Sequence, residues 1–188
     1  MPRCPQCNYP MDADEAACGR CGYRPGGDGP YRADYAREDL LALGLTSGFV
    51  DFVFLDPKPR LFASWCEPRE SGWPCAPPED ADAVFPLWSC NADVTAAVVR
   101  GGRVEFVEFP HDDPEPKPLA RSEQGLLARL FVPIIESPRA TRKGLREAAQ
   151  AAGFRFLDEL VKWHESGGGG DFQEQLSEFV RSLDERAG

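Results

Sequence analysis

The sequence predicts an α+β fold, in which a small N-terminal head precedes an antiparallel sheet with flanking helices and a helical C-terminus. Two β-rich runs flank Gly101-Gly102, and apolar residues recur with helical spacing on either side of this pair. The 188 residues, 42% of them hydrophobic, suffice for one main core and a small appendage. We therefore divide the chain into a head (1–25), a linker (26–33), an α+β domain (34–166) and a glycine-tethered amphipathic helix (167–188).

The head contains four of the seven cysteines, in two CxxC pairs that are ten residues apart. Each pair is followed by a residue that tolerates left-handed φ, Asn8 after the first and Gly22 after the second, as a tight metal-binding turn requires. Residues 1–24 hold almost no large aliphatic side chains, so burial of apolar surface cannot fold them. Two such turns place four sulfurs about 2.3 Å from one Zn²⁺. The predicted ligands are Cys4, Cys7, Cys18 and Cys21.

These turns, CPxC and CxxCGY, resemble those of zinc-ribbon proteins over residues 4–23. The resemblance implies a structural Zn²⁺, because four thiolates close the coordination sphere and leave no position for water or substrate. Metal binding of this kind is worth on the order of 10–16 kcal/mol at neutral pH, which can fold a segment that lacks a core. A redox CxxC or iron in the same four sulfurs is the alternative. Zinc ribbons serve many roles, so the motif indicates a metal and not a function.

The main domain begins with a predicted helix followed by a predicted hairpin. Asp34 is a suitable N-cap for a leucine-containing helix that ends at Gly44. Residues 49–55, FVDFVFL, are aromatic and β-branched, which predicts a largely buried strand. Residues 61–66 are its predicted partner across a proline-containing turn.

The centre of the chain contains the clearest strand pair, residues 92–100 and 103–109, preceded by FPLW at 85–88. Gly101 and Gly102 can both take positive φ, so a two-residue primed turn is favoured between the strands. Side chains alternate along the first strand, with Val94, Ala96 and Val98 on one face and Asp93, Thr95 and Ala97 on the other. This alternation predicts a sheet with one buried face.

The last third of the sequence predicts four helices. Ser122 is the predicted N-cap of a helix with Leu126, Leu127, Leu130 and Phe131 on one stripe, and Pro133 should break or bend it. Two further helices are predicted at 141–152 and 154–165. After the glycines at 167–170, a last amphipathic helix carries Phe172, Leu176, Phe179, Val180 and Leu183 on one face. That face packs on its own domain or on a second copy of the chain, or it docks on a partner.

Charge and cysteine usage restrict the environment of the protein. The formal net charge is −10, from 31 acidic and 21 basic residues, which makes nucleic acid an unlikely partner. Cysteines in CxxC pairs suit a reducing compartment with bound metal better than a disulfide framework. Because the sequence has no apolar run of membrane-spanning length and its N-terminus does not resemble a signal peptide, we expect a cytoplasmic protein without a membrane segment.

Other side chains have both a functional and a structural interpretation. One of the remaining cysteines (Cys66, Cys75, Cys90) is a candidate nucleophile with His111 or His164, although inert buried thiols are the better expectation. A loop carrying Glu108, His111, Asp112, Asp113 and Glu115 suggests a second metal site or acid/base groups, or simply solvated charges. Trp65, Trp73 and Trp88 mark either a binding groove or the core. We expect Trp88 to be buried beside the hairpin and Trp73 to be more exposed.

Residues 34–150 resemble the SUKH superfamily. The first feature of the resemblance is the order of the predicted elements: a helix, then several strands with a central hairpin, then helices. Two sequence motifs add to it, Phe85-Pro86-Leu87-Trp88 and Asn91-Ala92-Asp93 at the entry to a strand. Where the family often has glycine before the acidic residue, this chain has Ala92. The resemblance implies an α+β binding protein, and many members are immunity proteins that neutralise a toxin by binding it.

The sequence thus predicts a non-catalytic interaction protein whose partner is another protein, with no catalytic or small-molecule cofactor residues. A homodimer through the last helix is an alternative form of that partnership. The rival hypothesis is a small cytosolic enzyme that uses the acidic loop and a cysteine outside the head. A third hypothesis, in which the ribbon recruits nucleic acid, has only a few arginines near the CxxC turns in its favour.

Overall fold

Our computed structural model describes residues 10, 18, 30–32, 34–67, 78, 80–113, 115–167 and 170–187. These residues form two compact units, each built from two stretches of chain. The sheet unit comprises the described residues of 1–35 and 67–118, and the helical unit comprises those of 36–66 and 119–188. The domain boundaries inferred from the sequence stay predictions.

The sheet has four strands in the order β1-β2-β3-β4, and its neighbours β1/β2 and β2/β3 are antiparallel. The strands are β1 (Ala83–Cys90), β2 (Asp93–Arg100), β3 (Arg103–Phe109) and β4 (Lys117–Ala120). The predicted turn is confirmed, because Gly101 and Gly102 have φ of 54° and 76°. The α+β prediction is confirmed at the level of an antiparallel sheet with flanking helices and a C-terminal helix.

The prediction of a single buried face for the hairpin is wrong for β2. Val94, Ala96 and Val98 lie in an apolar cluster of the sheet unit, as predicted. Thr95 and Ala97 on the opposite face are also buried, with 7% and 0% of their surface exposed. Threonine and alanine are small and only weakly polar, so their alternation with valine does not indicate solvent on that side.

The helical unit begins with α1 (Arg37–Ala42), which starts three residues after the predicted cap. Asp39, not Asp34, stabilises its first turn, since its Oδ2 accepts a hydrogen bond from the Ala36 N–H at 2.7 Å. The helix ends as predicted before Gly44, whose φ is 83°.

The predicted strand at 49–55 is wrong, because Ser47–Phe54 forms the helix α2. Thr46 caps its N-terminus, where Oγ1 accepts a hydrogen bond from Phe49 N–H at 3.4 Å. Its buried residues have the spacing of one helix face. They are Phe49, Val50, Phe52 and Val53. The β-propensity of these residues is a weaker effect than the cap and the helical burial pattern.

The predicted strand at 61–66 is also wrong, because these residues form turns. Phe62 and Cys66 are 0% and 1% exposed, whereas Ser64 between them is exposed. A strand would place all three residues on one face, so this burial pattern suits a helical turn better. Lys58 lies in the segment 57–59, which we predicted to be the turn between these two strands, and it donates to the carbonyls of Phe52 and Val53 at 2.5 and 2.7 Å. It thereby satisfies carbonyls at the end of α2.

Helix α3 (Glu123–Glu136) starts as predicted at Ser122, whose Oγ accepts from Gly125 N–H at 3.1 Å. The helix is not broken at Pro133 and continues for three residues beyond it. Leu126, Leu127 and Phe131 of the predicted stripe are buried, and Leu130 is half-buried.

The remaining predicted helices are confirmed as α4 (Arg142–Ala152), α5 (Leu157–Ser166) and α6 (Phe172–Ala187). Helix α6 packs against α3 of its own chain through Leu176, Val180 and Leu183. The other two residues of its stripe are more exposed and lie beside Trp163 of α5, with ring centroids 5.5 Å away for Phe172 and 5.2 Å for Phe179. The described part of the chain contains no helix with both the length and the apolar composition needed to cross a membrane.

Candidate functional site

Of the four predicted zinc ligands, the structure describes Cys18 alone. Its side chain is 2% exposed and packs in the apolar cluster of the sheet unit, beside Val84, Val107 and Phe109 among others. Cys4, Cys7 and Cys21 lie outside the described residues. The zinc site therefore stays a prediction, in which one ligand is buried against the sheet.

Acidic side chains from three separate chain segments lie at one end of the sheet, which we call the acidic end. Glu67 pairs with Ser89 near the end of β1 through reciprocal backbone hydrogen bonds of 2.8 and 3.2 Å. Asp93 opens β2 opposite Cys90. The third segment is the end of β3 and the loop after it. The carboxylates of the acidic end are Glu67, Asp93, Glu108, Asp112, Asp113 and Glu115.

The backbone explains why these groups meet. The turn between β1 and β2 has only two residues, so Cys90 and Asp93 are direct cross-strand neighbours. On the other side of β2, Val94 pairs with Phe109, which brings the start of the loop 110–116 next to Asp93. Local composition indicated the loop residues as a site, but not Glu67 or Asp93, because the proximity of these two depends on backbone pairing between distant segments.

Cys90 is half-buried between acidic neighbours. Burial raises the pKa of its thiol above the ordinary value, and the charges of Glu67, Asp93 and Glu108 raise this pKa further. A nucleophilic cysteine requires the opposite, a cationic neighbour that stabilises the thiolate. The structure thus brings a cysteine to the acidic loop, as the enzyme hypothesis requires, but in surroundings that disfavour its reactive form.

His111 is held by Asp93. Its Nδ1 and its backbone N both lie 2.9 Å from Asp93 Oδ1. Partial burial acts to raise the pKa of the Asp93 carboxyl, but the hydrogen bonds from His111 and the charges of His111 and Lys117 outweigh it, so this pKa is lowered. The hydrogen bond to Asp93 raises the pKa of His111. The hydrogen bond to Asp93 therefore fixes the position of the His111 ring at the acidic end and occupies its Nδ1.

The other cysteine and tryptophan candidates are mostly structural. Cys66 is 1% exposed, which fits the inert buried thiol that we expected. Trp88 is 3% exposed, so its predicted burial is confirmed, and Trp65 is half-buried. Cys75 and Trp73 lie outside the described residues. His164 lies 3.1 Å from Glu136, and both belong to the helical unit.

No protein-family model, no curated protein and no solved structure matches this chain. Its function is therefore inferred from its own residues. The described residues contain no group of three or more histidine, cysteine, aspartate or glutamate side chains placed to hold a metal ion. The carboxylates of the acidic end are thus neighbours in space without the convergence of a metal site.

Proposed function

We propose that this protein is a non-catalytic interaction module that binds another protein through the acidic end of its sheet. The supporting observation is that carboxylates from three chain segments lie together there, on a chain whose net charge is −10. Glu67, Asp112 and Glu115 are exposed, so their charges reach the surface. In this proposal the head carries one structural Zn²⁺ on Cys4, Cys7, Cys18 and Cys21 and takes no part in chemistry.

The proposed partner is a basic protein. Complementary potentials steer association and reject partners of like charge, and these effects are strongest when one sign is concentrated on one surface. The same carboxylates repel phosphate, which disfavours nucleic acid at this end of the sheet. An immunity-type role, as the SUKH resemblance implies, agrees with this proposal, because it consists of binding and neutralising a toxin.

Cys90 argues against the rival enzyme. Its three acidic neighbours stabilise the thiol rather than the thiolate, so it is a poor nucleophile at neutral pH. Cys66 is buried. An interaction surface needs neither thiol.

The test is a capture experiment with the full chain and lysate of its native host, followed by affinity measurement with the purified captured protein. The test variant carries Glu67→Gln, Glu108→Gln and Asp112→Asn. The control variant removes the same charge from exposed carboxylates of the helical unit, by Glu38→Gln, Glu178→Gln and Glu185→Gln. We expect a basic protein that binds the wild type and the control equally, binds the test variant at least tenfold more weakly, and elutes as salt rises.

Two outcomes would contradict the proposal. One is equal loss of binding in both variants, which would indicate a general charge effect. The other is full binding by the test variant, which would place the interface elsewhere on the chain.

A further inference from the structure

The helical unit has an open groove of about 500 Å³ between the turns that follow α2 and the start of α4. Arg60, Leu61 and Trp65 line one wall. Arg139, with Gly144 and Glu147 of α4, lines the other. The volume is in the range of sites that hold small ligands or a few residues of a peptide.

The two arginines in this groove are exposed and make no ion pair with any residue that the structure describes. Other arginines of the chain are paired with carboxylates. Arg100 contacts both Asp80 and Glu105, and Arg186 makes a bidentate ion pair with Glu159 at 2.9 and 3.0 Å. The groove thus presents two available guanidinium groups on a chain with a net charge of −10.

The groove also offers an apolar surface. Trp65 is half-buried, and Leu61 lies close to the first turn of α4, since a Cβ at Gly144 would come 3.4 Å from Leu61 Cδ1. Glu147 adds a negative charge to the far wall, and Lys143 lies 3.8 Å from it. A groove that combines apolar surface with two cations suits a ligand that carries both carboxylates and an apolar group.

We propose that this groove binds an extended acidic peptide segment. Carboxylates of the peptide pair with Arg60 and Arg139, whose planar guanidinium groups match a carboxylate with two hydrogen bonds. An apolar side chain of the same peptide lies on Leu61 and Trp65. Glu147 disfavours a polyphosphate such as a nucleic-acid backbone more than it disfavours the peptide, because a polyphosphate carries a negative charge on every unit and the peptide does not. This site goes beyond the proposed function, since it lies in the other unit and selects the opposite charge.

The test is an NMR titration of the full chain with a capped pentapeptide of sequence Asp-Leu-Glu-Phe-Asp. A capped Asn-Leu-Gln-Phe-Asn peptide of the same shape is the uncharged comparison. We expect the acidic peptide to shift the Gly144 amide and the Trp65 indole, and to bind at least tenfold more tightly than the neutral one. The double variant Arg60→Gln/Arg139→Gln should bind at least tenfold more weakly, and Arg181→Gln, an exposed arginine of α6, should bind as the wild type does.

A variant that gains affinity separates binding from a folding defect. Glu147→Gln removes the repelling charge from the groove, and we expect it to bind the acidic peptide about twofold more tightly. The proposal is overturned if the neutral peptide binds equally well, or if the double variant keeps the wild-type affinity. Equal shifts with free succinate at the same concentration would also overturn it, because they would show that a small dicarboxylate suffices.

Discussion

Glu123 carries a carboxylate into the interior of the helical unit and is paired there with Thr46. It is 8% exposed, and its two oxygens accept hydrogen bonds from Thr46 N–H at 2.9 Å and Oγ1–H at 2.6 Å. Gln124, which is 1% exposed, accepts from Arg155 N–H and donates to Gly153 O, both at 2.9 Å. Each of these two buried side chains therefore connects the start of α3 to another part of the helical unit. Because their polar atoms are hydrogen-bonded, their burial costs little free energy.

Ala92 shows the opposite situation, a residue held in an unfavourable backbone conformation. In the two-residue turn between β1 and β2, Asn91 and Ala92 have φ of 50° and 70°. Asparagine tolerates this region, whereas alanine is strained there by its Cβ. Glycine is the residue that such a turn favours at the second position.

We predict that Ala92→Gly stabilises the sheet unit by about 1 kcal/mol, because relief of left-handed strain exceeds the added chain entropy of glycine. Urea unfolding of the wild type and the variant measures the change. Ala151→Gly, an exposed position within α4, is the control and should destabilise by a similar amount. A loss of stability in Ala92→Gly would contradict the assigned turn conformation.

At the scale of elements, the sequence predicted the amphipathic helices α4, α5 and α6 correctly, but it did not predict the more apolar helix α2. Helices α4, α5 and α6 alternate exposed charges with buried aliphatic residues, so their period is clear from the sequence. Residues 49–54 are nearly all apolar, and only Asp51 marks the solvent side of α2. With one polar residue in the run, the period of a strand and that of a helix cannot be told apart.

Helix α6 is fixed to α3 by a carboxylate as well as by apolar packing. Asp184 accepts hydrogen bonds from the backbone N–H groups of Arg121 and Ser122, both at 2.9 Å, and from Ser122 Oγ–H at 2.6 Å. A Cβ at Gly125 would come 2.4 Å from Asp184 Oδ1, so only glycine allows this approach. The contact places a negative charge at the positive end of α3.

We predict that Asp184→Asn destabilises the helical unit by about 2 kcal/mol, because an amide offers one acceptor oxygen where two now receive three hydrogen bonds. Urea unfolding gives the magnitude, and amide hydrogen exchange should show faster opening of α6. Glu185→Gln, the adjacent exposed residue, is the control with the same charge change. Equal stability of the two variants would contradict a docking role for Asp184.

At the scale of the whole molecule, the acidic end and the groove differ in how far the sequence could indicate them. Glu108 near the end of β3 and the acidic residues of the following loop are close in sequence, so local composition indicated them. Arg60 and Arg139 are far apart in sequence, and they line one groove only because the turns after α2 lie beside α4. Such long-range proximity depends on packing, which local patterns do not specify.

For the head, the sequence predicts stability from a bound metal and not from burial of apolar side chains. Cys18 packs in the apolar cluster of the sheet unit, so a metal held by Cys18 would connect the head to the sheet. We predict one Zn²⁺ per chain by elemental analysis of the purified protein, and its loss in Cys4→Ser/Cys7→Ser. Removal by a chelator should lower the unfolding temperature, because binding free energy of such a site is folding free energy.

Cys75→Ser is the matched control for this prediction, since Cys75 belongs to neither CxxC pair. It should keep its zinc and its unfolding temperature, whereas Cys18→Ser should lose both the metal and part of the packing around Val84 and Phe109. If the purified wild type holds substantially less than one metal ion per chain and a chelator leaves its unfolding temperature unchanged, zinc does not fold the head. Some other interaction must then compensate for the scarcity of aliphatic side chains in residues 1–24.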